Sequence, residues 1–144
     1  ATNPPPKPGP DAFHRERSKC LDAFAKCEEA VIALLLQSGT KFSSEPFGTK
    51  IESLKKAKPT SQYSAARKQT VNGSLGHLGE ILELRNDLVH ARLQIAVIGE
   101  DQRACFINAR QGPSGVQTAR LFSLESLRTV TRKASEIAAE LSRA

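Results

Sequence analysis

Between residues 71 and 98 the apolar pattern changes period without a break in the chain. Val71, Leu75, Leu78, Leu82 and Val89 recur at helical spacing, with Ile81 and Leu88 beside them, and so mark one stripe on an α-helix. From Arg92 to Ile98 the run Arg-Leu-Gln-Ile-Ala-Val-Ile has strand character. A helix must therefore pass into a strand close to His90, and the remaining chain must cover both. The helix is expected over about residues 61–91. Gly73, Gly76 and Gly79 interrupt it, each at roughly 0.5–1 kcal/mol relative to alanine in a helix interior. Two explanations stand open: close approach of another backbone, or a break near Asn72-Gly73.

The cover is legible on either side. Asp11 follows Pro10 and is expected to cap a helix reaching about Gln37, with Phe13, Cys20, Phe24, Cys27, Val31 and Leu34/Leu35 as its buried stripe. Ser38-Gly39 ends it. Phe42 and Phe47 anchor a loop, and Thr49 to Lys56 forms a short helix that stops before Pro59. After the first strand, Gly99-Glu100-Asp101-Gln102 is a turn into a second strand at 103–109, and Gly112-Pro113-Ser114-Gly115 is a loop. Val116 to Phe122 supplies a third, weaker strand. Ser123 caps a last helix with its stripe on Leu124, Leu127, Val130, Ala134, Ile137/Ala138 and Leu141. Residues 1–10 are proline-rich, hence disordered or extended. The expected architecture is one mainly α domain over 11–144: a helical bundle with a small antiparallel hairpin or three-stranded sheet inserted before the C-terminal helix.

Composition narrows the function classes. The chain has no Trp, one Tyr and six Phe, too little for a protein that reads single-stranded nucleic acid on an aromatic platform. The longest apolar run, Ala30 to Leu36, is far short of a membrane span, and the N-terminus lacks the layout of a signal peptide. A cytoplasmic protein without membrane partners is expected. Cys20 and Cys27 are seven residues apart in one helix, about 10.5 Å along its axis, too far for a disulfide. Neither a Cys-x-x-Cys pair nor a zinc-ligand spacing is present, so three reduced, buried thiols and no metal or cofactor are expected. The net charge of +6 is concentrated in residues 41–70, where Lys50, Lys55, Lys56, Lys58, Arg67 and Lys68 join Lys41 against only Glu45 and Glu52. Those six cations are candidates for contacting RNA phosphates, or else form a solvated lysine-rich face.

The chemistry concentrates where the helix meets the strand. At about 100° per residue, Glu83 and His90 are nearly in line and Asn86 is about 40° away. Arg85 is seven after Leu78 and four before Val89, so it continues the buried stripe. A charge on a core line needs a carboxylate, a partner subunit or a phosphate. Arg85 and His90 are about 140° apart on an ideal helix, which a tightened helix end or a second copy could bridge. An Arg with a His suits metal-independent RNA cleavage. The imidazole takes the 2′-hydroxyl proton or protonates the leaving oxygen, and the guanidinium holds the phosphate. Asn86 would orient the His or hydrogen-bond the phosphate, and Glu83 or Asp87 would fix the imidazole tautomer. Simpler roles stand beside these: a dipole partner for His90, solvated charges for Glu83 and Asp87, and an ion pair of Arg85 with Glu28 or Glu29.

Arg85-Asn86-Asp87-Leu88-Val89-His90 resembles the Arg-x4–6-His motif of the HEPN superfamily, with a polar residue directly after the Arg. The run from Leu78 to Asn86 is similar to the motif-bearing helix of that superfamily. The resemblance implies a helical bundle, dimeric, with two motifs facing across the interface. It implies a metal-independent endoribonuclease of the kind found in toxin–antitoxin, phage-defence and RNA-processing systems, with Arg85 and His90 as the catalytic pair, Asn86 in support, and RNA and an antitoxin protein as partners. Other members are catalytically silent modules that bind a protein partner, nucleotide or RNA. The strands at 92–109 depart from the minimal bundle. No helix-turn-helix pattern favours a DNA-binding alternative.

Overall fold

Pro10 opens the first helix. The computed structural model describes residues 9–99, 101–111 and 117–144, and the expectation for residues 1–8 falls outside them. Helix α1 spans Pro10–Ser38. Proline suits the first helical position because its missing N–H is one the helix leaves unpaired anyway. The N-cap is Gly9 rather than the expected Asp11, which instead falls in the first turn, where a carboxylate still favours the positive end of the helix dipole. Gly39 ends the helix at φ 71, its N–H reaching the carbonyls of Leu35 and Leu36.

Helix α2 is Phe47–Lys56, and α3 is Ala65–His90. Each departs from the expected start for a reason of packing. Phe47, 3% exposed, turns into the core and draws α2 back by two residues. Tyr63 is fully buried in a turn where Thr60 and Tyr63 exchange backbone hydrogen bonds of 2.8 and 3.3 Å. Helix α3 therefore begins after Tyr63, at a cap where the Ser64 hydroxyl accepts from the Arg67 N–H at 3.1 Å.

Helix α3 runs unbroken through its glycines. A Cβ at Gly73, Gly76 or Gly79 meets nothing within 4 Å, so close approach of another backbone does not explain them; all three are exposed. Gly76→Ala should raise stability by roughly 0.5–1 kcal/mol, read from the denaturation midpoint. An unchanged or lower midpoint would count against an open helix face here.

Strands β1 (Arg92–Ile98), β2 (Asp101–Gln111) and β3 (Gln117–Phe122) form an antiparallel sheet in the order β1-β2-β3. Ile98 pairs with Asp101, and Gly99 sits at φ 63. Asp101 and Gln102, expected in the turn, thus belong to β2. The loop at 112–115 and residue 116 fall outside the described residues. One face of the sheet carries Ile95, Ala104 and Phe122 in register, followed by Leu93, Phe106 and Arg120. Ala104 and Phe106 are buried, and the Phe106 and Phe122 rings meet edge to face at 5.7 Å. Helix α4, Leu124–Arg143, follows the Ser123 cap, whose hydroxyl accepts from the Ser126 N–H at 3.0 Å. The architecture is mainly helical, with a small three-stranded sheet inserted before the C-terminal helix. No described helix is long and apolar enough to cross a membrane.

The core joins the inner stripe of α1 to α4, with Phe13, Phe24, Leu35, Leu75, Leu78, Leu127 and Leu141 nearly or fully buried. Cys20 and Cys27 lie within it as free thiols. Cys105 is only partly buried, contrary to expectation, because its position in β2 pairs with Gln94 and the exposed Leu121 on the other face of the sheet. Burial pushes the Cys27 thiol from 9.0 up to about 11, against a backbone hydrogen bond with Ala138 that lowers it. Between those values the unfolded chain has lost a proton that the folded chain keeps, so stability falls as pH rises. A urea midpoint that declines from pH 9 to 11 in the wild type, and less in Cys27→Ala, is the expected result. Parallel declines would remove Cys27 as the cause.

Candidate functional site

The buried face of α3 rotates along its length. Val71, Ser74, Leu75 and Leu78 are buried in its first half, whereas Ile81 and Leu88 are buried near its end. That turns the line through Leu82, Arg85 and Val89 outward as α3 comes to pack on β2 as well as α4 and α1. Arg85 thus sits on the rim of the core rather than within it, with its side chain 24% exposed.

Its surroundings come from three helices. The guanidinium lies 5.6 Å over the Phe47 ring of α2. It faces Glu28 of α1 at 3.7 Å and donates to the Asn86 side-chain oxygen at 3.1 Å. Lys50 reaches the same Glu28 at 3.3 Å. The ion pair with Glu28 is therefore formed, although at 3.7 Å it is loose. Arg85 and Val89 form one wall of an open groove of about 450 Å³, with Leu21, Phe24, Glu28 and Ile32 opposite.

His90 is the last residue of α3, and its side chain is exposed. Among the described residues it has no hydrogen bond or ion pair, and none joins it to Arg85. Its backbone is held firmly. Arg17 of α1 donates to the Leu88 carbonyl at 3.0 and 2.6 Å and to the Ala91 carbonyl at 3.1 Å. These are carbonyls that a helix terminus leaves without partners. The Ala91 N–H returns to Asp87 at 2.7 Å. The helix therefore stops at His90 under a guanidinium clamp, which sets where the chain turns into β1.

Glu83 and Asp87 meet Arg120 of β3. The Arg120 guanidinium reaches Glu83 at 3.2 Å and also pairs with Asp87, tying the sheet to the last turns of α3. The six cations of residues 50–68 are not one free patch. Lys50 is 8% exposed and paired with Glu28. Lys55 pairs with Glu52 at 3.3 Å. Arg67 donates to the Gln62 carbonyl at 2.8 Å and lies over the Tyr63 ring, and Lys68 donates to the Ala57 carbonyl. Lys56 and Lys58 are exposed.

Arg17 and Arg120 did not stand out in the sequence, yet both carried a signal. Arg17 lies four after Phe13 and three before Cys20, a charge on a core line by the same criterion that drew attention to Arg85. Arg120 is two before Phe122, hence on the inward face of β3. Comparison with protein-family models, with curated proteins and with solved structures finds no match.

Proposed function

We propose that this chain is a metal-independent endoribonuclease of the HEPN type that acts as a dimer, with Arg85 and His90 as its reacting groups. The observation that supports it best is the state of those two side chains. His90 is exposed at a clamped helix end with no partner among the described residues, and Arg85 stands at the wall of an open groove in a loose, part-exposed ion pair. Such a pair holds little energy against an incoming phosphate. His90 takes the proton of the ribose 2′-hydroxyl, whose oxygen attacks phosphorus. The 5′-oxygen leaves and is protonated, and Arg85 stabilises the charge that builds on the phosphoryl oxygens. Asn86, already bonded to the Arg85 guanidinium, steadies its fork. The second copy supplies a second His90 imidazole, which protonates that leaving oxygen. Of the six cations of residues 50–68, Lys56 and Lys58 are exposed, and these two would meet the RNA backbone. An antitoxin protein that covers the cleft fits the same reading.

The chemistry fixes the product. Purified protein in excess EDTA should leave 2′,3′-cyclic phosphate and 5′-hydroxyl ends. Cleavage that needs a divalent ion, or that leaves 5′-phosphate ends, would exclude the proposal. A second reading is a catalytically silent module that binds a protein partner, nucleotide or RNA. The engagement of Arg85 by Glu28 and Phe47, away from His90, favours it. Tight RNA binding without any cleavage would identify that case.

A further inference from the structure

Strand β1 is an edge of the sheet, and it is built differently from the opposite edge. It pairs with β2 through all 7 of its residues, with no shift of register. Among the described residues, hydrogen bonds to its backbone come from β2 alone. Every second residue of β1 therefore turns its N–H and C=O groups to the open side.

Edge strands are ordinarily protected by a bulge, a proline or a charge that points inward. Strand β3 has two of these. Its pairing with β2 shifts between Ile107 and Gln111, and Arg120 stands on its inward face. Strand β1 has neither, and from Leu93 to Ile98 it carries no charge and no proline. The apolar face of the sheet also runs out uncovered on this side. Ala104 and Phe106 of β2 are buried, Leu93 and Ile95 beside them are half-buried, and Val97 on the same face is 68% exposed.

A row of free backbone groups selects an extended chain, since another strand offers N–H and C=O groups at the matching spacing. Neighbouring side chains narrow the choice. Residues that continue the face of Ile95 and Val97 must be apolar. On the other face Arg92 is exposed and has no ion pair among the described residues, so a carboxylate directly across from it is favoured. A second copy of β1 supplies none, because residues 92–98 contain neither Asp nor Glu. We propose that the β1 edge takes an extended segment of a different protein, with apolar side chains alternating along it and an acidic residue beside Arg92. The segment runs antiparallel to β1 and so continues the sense of the sheet. This surface is separate from the reaction of Arg85 and His90 and stands whether or not RNA is cleaved.

The probe is an amidated peptide of alternating Val and Thr, as long as β1, with Asp near its C-terminus, titrated into the full chain. It should bind, and the β1 amides should gain protection from exchange. Methylating the peptide's backbone nitrogens should abolish binding. Val97→Lys, which places a charge on the inward face of the edge, should weaken binding about tenfold or more, while Leu121→Lys on the other edge should leave it unchanged. Arg92→Glu should reverse the preference for the Asp peptide over one with Lys in its place. Absence of binding even at millimolar peptide, binding that survives N-methylation, or a loss in Leu121→Lys instead of Val97→Lys overturns the proposal. So does a wild type that self-associates and becomes monomeric in Val97→Lys, because the second copy is then the occupant of the edge.

Discussion

Arg17→Ala should destabilise the protein by roughly 2–4 kcal/mol, because it leaves the Leu88 and Ala91 carbonyls without their charged donor. Both carbonyls lie where α3 ends, and Leu88 and Ala91 are 1% and 3% exposed, so water is poorly placed to replace the guanidinium. The loss should also be local. Amide exchange at the last turn of α3 and the start of β1 should accelerate more than exchange in the paired middles of α1 and α4. Arg17→Lys should recover only part of the stability, since a single ammonium does not reproduce the planar fork that spans two carbonyls. Denaturant titrations of the three proteins, with exchange measured on each, check this. Both variants within 0.5 kcal/mol of wild type would show that the clamp contributes little.

Loss of His90 should do the reverse, leaving the fold intact while removing activity. The side chain is exposed and unpartnered among the described residues, so His90→Ala should leave the unfolding midpoint within about 0.5 kcal/mol of wild type. A positioned general acid or base contributes about 10²–10⁴ in rate, and a charge-stabilising donor about 10²–10³. Arg85→Ala should therefore approach the His90 defect in rate. It should also cost some stability, since the guanidinium covers Phe47 and pairs with Glu28. Arg85→Lys should keep the charge but not the bidentate geometry, and should rescue little.

The helices and their stripes were legible because burial imposes the 3.6-residue period directly on the residue types. The sheet followed from β-branched runs and a glycine turn. Starts of helices were less legible. Tyr63 delays α3 and Phe47 advances α2 because each must reach the core, and tertiary packing of that kind leaves no mark in a single window of sequence. The exposed glycines of α3 show the same limit from the other side, for nothing packs where a close neighbour was expected.

At the site, the motif residues were visible but their partners depended on the fold. A straight stripe makes Arg85 a core residue, and the rotation of the buried face along α3 places it on the rim instead. Its pair with Glu28 was one of the stated alternatives. Glu83 and Asp87 meet Arg120 only because β3 returns across the end of α3, a contact between residues 33 or more positions apart. Lys50, Arg67 and Lys68 counted as free charge in the sequence and are absorbed by local contacts.

The most direct measurement is the rate of RNA cleavage in excess EDTA by wild type, His90→Ala and Arg85→Ala, each first shown to be folded. Cleavage by wild type, reduced at least a hundred-fold in both variants, is the predicted result. Equal rates in all three proteins, or no cleavage by a folded wild type over a broad panel of RNAs, would contradict it.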